Sequence, residues 1–239
     1  MQQLPVIYLA AGKGSRLGDL CAERPKALVE AGGRPLADRA FEYLRAAGFE
    51  RIVAVTGHAA GRLDDYDIET AFNERWESDN NVVSLWQVRN VVATGCVIVN
   101  CDLLFEPELA RRLAATEGTA ILVDDHLAVD DESMKASENG GALERLHKSL
   151  AHDTAVGEYI GLTRIDPADG PRLAEILEQF IADGNTQVYY EDAIEALARE
   201  RAVGIERVGG LLWVEIDDHD DLARANDVIA PAIETRVAA

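Results

Sequence analysis

The stretch VIYLAAGKGSRLGDLCAERPKAL, Val6 to Leu28, decides the fold. Val6-Ile7-Tyr8-Leu9 is a short apolar run of the kind that forms a buried strand. It opens into Ala10-Ala11-Gly12-Lys13-Gly14-Ser15-Arg16, small residues that carry two glycines, a lysine and an arginine. With few Cβ atoms in the way, the backbone N–H groups of such a loop can close on an anion. Further along, Pro25-Lys26 supplies another cation, and the whole reads as a cradle for a polyphosphate. It is not the P-loop, because Lys13 precedes Gly14 and no Gly-Lys-Ser follows. It is not the dinucleotide fingerprint either, because Gly12, Gly14 and Gly18 leave one residue too many before the third glycine. An ordinary strand-to-helix turn would need neither Arg16 nor Pro25-Lys26.

A chain of 239 residues, 48% hydrophobic, is long enough for one well-cored α/β domain. Its net charge of −20 argues against nucleic acid as a partner, since phosphate backbones are held by clustered lysine and arginine. Lysine is scarce, and of Lys13, Lys26, Lys135 and Lys148 three fall in stretches assigned below to the site. A bias toward arginine explains the scarcity but not the placement. Cys21, Cys96 and Cys101 are odd in number and lack metal-ligand spacing, which fits reduced thiols in the cytoplasm. The histidines form no zinc motif. No basic region precedes the first apolar run, and that run is too short to span a bilayer, so the expectation is a cytoplasmic protein without a membrane partner.

Apolar residues at helical spacing from Leu36 to Ala47 predict a helix stopped by Gly48. Arg51 to Thr56 is then a second strand, ending in Gly57. Strand, helix, strand at this spacing makes a βαβ unit with parallel strands, and ligands bind beyond the carboxyl ends of such strands. The glycine loop and Gly57 both lie at that edge. Ile68 to Asn73 reads as a third strand. Asn80 or Asn81 caps a helix whose apolar face begins with Val82, Val83, Leu85 and Trp86. Gly95 to Asn100 is an apolar strand leading into Cys101-Asp102, an acid at the phosphate rim. Pro107 to Ala115 is a helix and Thr119 to Val123 a strand. The acidic stretch from Asp124 to His152 reads most simply as a solvated loop. Glu158 to Leu162 is a strand, and Pro171 to Ile181 is an amphipathic helix. Tyr189-Tyr190-Glu191-Asp192 precedes a helix from Ala193 to Arg199. These four residues are the ingredients of an ammonium cage, or equally a core tyrosine followed by acids that favour a helix N-terminus. Trp213 to Asp217 is an alternating strand ending in an acid, and a helix from His219 to about Thr235 closes the chain. The fold class expected is α/β, a Rossmann-like, mostly parallel central sheet flanked by helices in a single domain over 1–239.

Leu9 to Leu17 followed by Pro25 to Leu28, LAAGKGSRL and PKAL, resembles the signature of the nucleotidyltransferases that activate sugar and alcohol phosphates, the sugar-phosphate and MobA-like superfamily. Later landmarks are similar to those of choline-phosphate and phosphonate cytidylyltransferases. The resemblance implies a nucleotide-binding part over about 1–123, an acceptor-binding part over about 124–217, and a C-terminal helix over about 218–235. It implies nucleotide contacts from Leu9, Ala10, Ala11, Gly12, Lys13, Gly14, Ser15, Gly57 and Asn81, with Ser84 on the pyrimidine. Arg16 and Lys26 take the catalytic positions, and Asp102 and Asp217, the latter closing a Trp-x-Glu-Ile-Asp motif, bind Mg2+. Asp131 to Lys135 is similar to the acidic stretch of enzymes acting on phosphoalcohols or phosphonates, which puts Lys135 on the acceptor phosphate. Tyr189, Tyr190, Glu191 and Asp192 resemble the aromatic-acid cluster that holds the rest of the acceptor. The activity implied is magnesium-dependent transfer of CMP from CTP to a small phosphorylated or phosphonylated alcohol or amino-alcohol, with release of pyrophosphate. A sugar-1-phosphate or inositol-1-phosphate nucleotidyltransferase, a molybdopterin guanylyltransferase and a non-catalytic nucleotide-binding regulator stay open, as does a homodimer.

Overall fold

The computed structural model describes residues 3–238. Strand β1 (Val6–Ala10) runs through the middle because both of its faces are apolar. Val6, Tyr8 and Ala10 enter one core and Ile7 and Leu9 the other, the period-2 alternation of a strand covered on both sides. Two short 3-10 segments (Ser15–Cys21 and Lys26–Leu28) follow, then a minimal hairpin of β2 (Glu30–Ala31) and β3 (Arg34–Pro35). Helix α1 (Leu36–Ala46) returns the chain to β4 (Ile52–Thr56), parallel to β1, and β5 (Glu69–Phe72) extends that edge in parallel. Helices α2 (Asn81–Gln87) and α3 (Arg89–Val92) lead to β6 (Cys96–Asn100), which pairs in parallel with the other side of β1.

After β7 (Leu103–Phe105), α4 (Pro107–Ala115) and β8 (Ala120–Asp124), the chain makes a hairpin of β9 (Lys135–Asn139) and β10 (Ala142–Leu146). Strand β11 (Gly157–Ile165), helices α5 (Gly170–Ala182) and α6 (Tyr190–Ala198), and strands β12 (Gly204–Arg207) and β13 (Trp213–Glu215) follow. Helix α7 (His219–Arg224) passes through a π-helical turn (Ala225–Ile229) into α8 (Ala230–Ala238). The main sheet has the order β5-β4-β1-β6-β11-β8-β12-β10-β9. Its first four strands are parallel as expected. Beyond β6 it is mixed, because β11 is inserted antiparallel between β6 and β8. The hairpin in the acidic stretch is a second departure from the expected loop. Asn139-Gly140-Gly141 turns it, with φ of +62° and +84° at the two glycines.

Helices α1 and α4 cover one face of the sheet and α2, α5 and α6 the other. A third cluster joins Leu17 and Cys21 of the glycine loop to Leu104, Val214 and Ile216 and to Ala225, Ile229 and Ile233 of the C-terminal helix. This cluster sits directly beneath the rim where the phosphate loop meets β7 and β13. Ile233 is fully buried in it, so Ile233→Ala is expected to cost about 2–5 kcal/mol, read as a lowered urea midpoint. An unchanged midpoint would mean that the last helix is not part of the folded unit.

Candidate active site

Three segments far apart in sequence meet at the carboxyl edge of the parallel strands. The first is the glycine loop after β1. Gly14 takes φ +64°, and a Cβ there would sit 3.0 Å from Cys21 Sγ and 3.3 Å from Lys26 Cβ. Only glycine lets the loop pack this closely on Lys26. The loop is braced from outside, with His58 N donating to Ala11 O (3.0 Å) and His58 Nε2 bonded to Cys21 O (2.7 Å).

The second segment follows β6 and carries Asp102. The third follows β13, which pairs antiparallel with β7 and sets Glu215 opposite Leu103. Ile216 N donates to Asp102 O (2.9 Å), so the backbone itself holds the two acidic segments together. Asp221, at the start of α7, accepts from Asp217 N (3.0 Å) and fixes the next turn.

Lys26, buried, joins all three. Its Nζ donates to Asp102 Oδ2 at 2.8 Å and also to Asp217 Oδ1. Arg16 Nη2 meets the other oxygen of Asp217 at 2.5 Å. Burial alone would depress the Lys26 ammonium, but Asp102 and Asp217 outweigh it and hold the pKa above the ordinary lysine range. Asp217 is the converse: its partial burial is overcome by Lys26 and Arg16, so its carboxyl is held below the usual range. Glu215 is pushed well up, first by burial and then by Asp102 and Asp217.

Asp102, Glu215 and Asp217 each offer a carboxylate oxygen within 4.8 Å of the others. Asp102 Oδ1 is buried without a hydrogen-bond partner. Clustered oxygen donors with an unsatisfied buried oxygen fit a hard divalent cation, which takes a few carboxylates and keeps water and substrate phosphate as its other ligands. Glu215 was given no role from sequence. The signal was present, because a strand's period of two puts Glu215 and Asp217 on one face while Val214 and Ile216 enter the third cluster on the other.

These groups open into a cleft of about 820 Å³, room for a nucleoside triphosphate and a small partner. Nine acidic and four basic side chains line it, a balance that favours a polyphosphate accompanied by a cation. Leu9, Gly12, Gly14, Ser15 and Arg16 form one wall, and Asn81 lines the cleft against the start of α6, its Oδ1 accepting from Tyr190 N (2.8 Å). Ala10 and Ala11 are buried under the loop, and Lys13 is exposed outside the cleft wall.

Several expected site residues lie elsewhere. Gly57 is packed against Trp76 and Ala11 O, so it supports the loop from behind. Ser84 is buried on α2, its hydroxyl accepting from Asn73 Nδ2 (3.0 Å), behind the cleft wall. Lys135 is buried and its Nζ donates to Asp130 O (2.6 Å) and Ser133 O (3.2 Å). Its ammonium pins the acidic loop and does not face the cleft. Of the four residues 189–192, Tyr189 and Glu191 line the cleft. Tyr190 is fully buried, with its hydroxyl bonded to Asn100 Oδ1 (3.0 Å) and Tyr159 Oη (2.6 Å). Asp192 accepts from Tyr189 N (2.9 Å) and closes the first turn of α6. Helical periodicity accounts for this division, since consecutive residues of a first turn face different ways. Lys148, unassigned from sequence, stands at the far wall with its Nζ 5.8 Å from the Tyr189 ring centroid and 3.5 Å from Glu132 Oε2.

The model of the MobA-like NTP transferase domain matches residues 6–158. The chain belongs to that family. It is a nucleotidyltransferase, and the glycine loop, Lys26 and Asp102 all fall in the matched part. Beyond the family model, the chain is 27% identical to CMP-5'-(3-aminopropyl)phosphonate synthase of Streptomyces rubellomurinus over 95% of its own length, though it spans only 39% of that protein. It is 22% identical to choline-phosphate cytidylyltransferase of Streptococcus pneumoniae, covering 95% of this chain and 98% of the relative. The solved structure of CTP:phosphocholine cytidylyltransferase from Streptococcus pneumoniae matches with a TM-score of 0.83 at 20% identity, over 95% of this chain and 99% of that one. That likeness shows a shared fold. Among the described residues no helix is long and apolar enough to cross a membrane.

Burial pushes the Glu191 carboxyl up to about 8, with Asp192 and Asp102 adding to the rise. In the unfolded chain it ionises near 4.3. Between those values the unfolded state binds fewer protons, so this group's contribution makes stability fall as pH rises from about 4 to about 8. Glu191→Gln is therefore expected to raise stability at pH 7 by on the order of 1–3 kcal/mol and to flatten its decline between pH 5 and 7.5. Urea titrations at the two pH values check this, and parallel losses in both proteins would refute it.

Proposed function

We propose that this nucleotidyltransferase moves CMP from CTP onto a small phosphorylated or phosphonylated alcohol or amino-alcohol. The observation that carries the reading is the Lys26 ammonium, buried between Asp102 and Asp217 beside the glycine loop. A cation in that position serves a reaction in which two anions must meet. The cytidylyl and acceptor assignments rest on the relatives, which include a phosphonate and a choline-phosphate enzyme.

In the step proposed, an oxygen of the acceptor phosphate or phosphonate attacks the α-phosphorus of CTP. The new O–P bond forms as the bond from the α-phosphorus to the bridging oxygen breaks, and the electron pair leaves with pyrophosphate. No general base is required, because a phosphate monoester already carries about −1.5 to −2 charge at pH 7. Arg16 and the amides of Gly12 to Ser15 would hold the β- and γ-phosphates. Lys26, once it exchanges a carboxylate for phosphate oxygen, would lie between the α-phosphate and the acceptor. Asp102, Glu215 and Asp217 would hold a divalent cation, magnesium in this reading, which supplies charge neutralisation at the triphosphate. Chemistry of this kind is mostly positioning and electrostatics. Residues from about 1 to 123 would then carry the nucleotide and those from about 124 to 217 the acceptor, with Glu215 and Asp217 reaching back to the cation.

The test is pyrophosphate release with magnesium, crossing CTP, UTP, dTTP, ATP and GTP against phosphocholine, phosphoethanolamine, 2-aminoethylphosphonate, inositol-1-phosphate and glucose-1-phosphate. Turnover is expected with CTP and an amine-bearing acceptor. Asp102→Ala, Asp217→Ala and Lys26→Met are each expected to lower kcat by about 100-fold or more, and EDTA to abolish activity. Turnover confined to UTP or dTTP with glucose-1-phosphate would overturn the base and acceptor assignments. CTP binding without pyrophosphate from any acceptor would favour a regulator.

A further inference from the structure

An amine-bearing acceptor needs a place for its amine, and one wall of the cleft offers an unusual partner. Glu191, in the first turn of α6, is 4% exposed and lines the cleft, yet its Oε2 is buried without a hydrogen-bond partner. A buried carboxylate oxygen in that condition carries a desolvation cost that the helix backbone and the Tyr190 hydroxyl offset only in part. The nearby donors are already committed. Tyr159 Oη is bonded to Thr163 Oγ1 and Tyr190 Oη, both at 2.6 Å, and Tyr190 Oη also donates to Asn100 Oδ1. Glu158, half-buried, also lines this cleft.

The aromatic side of the wall is less free than its sequence suggests. The Tyr189 ring already faces an ammonium of the chain itself, that of Lys148. Tyr190 is absorbed into the core. What the wall lacks is a donor for Glu191 Oε2. A primary ammonium carries three such donors, whereas a trimethylammonium group carries none and is recognised by aromatic faces.

The geometry points to Glu191 as the residue that selects a primary ammonium over a quaternary one, its Oε2 accepting from the amine of a short phosphate or phosphonate acceptor. This rests on the cytidylyltransferase reading and narrows its acceptor class. Loss of a charge-assisted hydrogen bond from a buried oxygen is worth roughly 10- to 100-fold in affinity.

The experiment is calorimetric titration of 2-aminoethylphosphonate and its N-methyl, N,N-dimethyl and N,N,N-trimethyl derivatives into the full chain, with magnesium and a non-hydrolysable CTP analogue. The first three keep at least one N–H and the last has none. Affinity is expected to drop about 10- to 100-fold from the primary to the quaternary compound, with the largest single step at the last methyl. Glu191→Gln is expected to remove most of that preference by weakening the primary amine while leaving the quaternary one near its wild-type affinity. A wild-type preference below tenfold, or a quaternary compound that binds better, overturns the assignment whether or not the variant folds. If phosphocholine is turned over best with CTP, the cytidylyltransferase reading survives and only the Glu191 assignment falls. If no member of the series binds and turnover occurs only with a sugar phosphate, both fall.

Discussion

Everything at the rim depends on the ammonium of Lys26 being held between Asp102 and Asp217. These residues come from the loop after β1, the loop after β6 and the end of β13, and no two of them are close in sequence. Buried charges are tolerable only when paired, and removing one partner leaves the others stranded at a cost of several kcal/mol. The ion triad therefore constrains the fold as much as the chemistry. The antiparallel pairing of β7 with β13 and the bond from Ile216 N to Asp102 O bring the carboxylates to within reach of one ammonium. The third hydrophobic cluster underneath, with Leu17 from the glycine loop and Val214 and Ile216 from the β13 segment, keeps them there.

The same arrangement explains why so acidic a cleft can serve a polyphosphate. Asp102, Glu215 and Asp217 crowd one another enough to push Glu215 well above its ordinary pKa, despite the nearby Lys26. Crowded carboxylates of this kind are a reservoir of unfavourable energy until positive charge arrives. Lys26 and Arg16 supply part of it in the resting structure. A divalent cation fits the remainder, because the unpartnered Asp102 Oδ1 and the raised Glu215 are the two groups that the protein's own cations leave unsatisfied.

The parts of this site that were legible in the sequence are those fixed by local backbone demands. The glycine loop and the acids ending two strands could be placed at the rim because each sits where a strand stops and the chain must turn, whereas grouping Arg16, Lys26, Asp102 and Asp217 in one site rested on the resemblance. What was not legible depended on side-chain direction. Lys135 follows an acidic run and so resembles a phosphate ligand, but the preceding turn directs carbonyls inward and captures its ammonium. Ser84 lies in the expected segment, one helical face away from the cleft. Tyr190 and Glu191 are adjacent in sequence and opposite in fate, and only the start of α6, three residues earlier than the periodicity suggested, decides which faces the cleft. The hairpin of β9 and β10 lies in a negative, polar stretch whose composition suggests a loop, although Asn139-Gly140-Gly141 marks its turn.

Glu191 gives this division physical weight. A glutamate in that first turn is favoured locally, since negative charge near a helix N-terminus is stabilising. Its backbone placement lowers its pKa, yet burial prevails and carries it up to about 8. Stability alone would not place a carboxyl there, because glutamine has nearly the same shape without the cost of burying a charge. Sites that bind or transform ligands are where such unfavourable groups are retained, their cost offset by the rest of the fold. Among the described residues Asp102 Oδ1 and Glu191 Oε2 are both buried carboxylate oxygens without partners, and both belong to residues lining one cleft. One belongs to the acidic cluster beside the phosphate loop and the other to the α6 wall. The fold thus leaves two carboxylate oxygens of a single cavity to be satisfied by what that cavity binds.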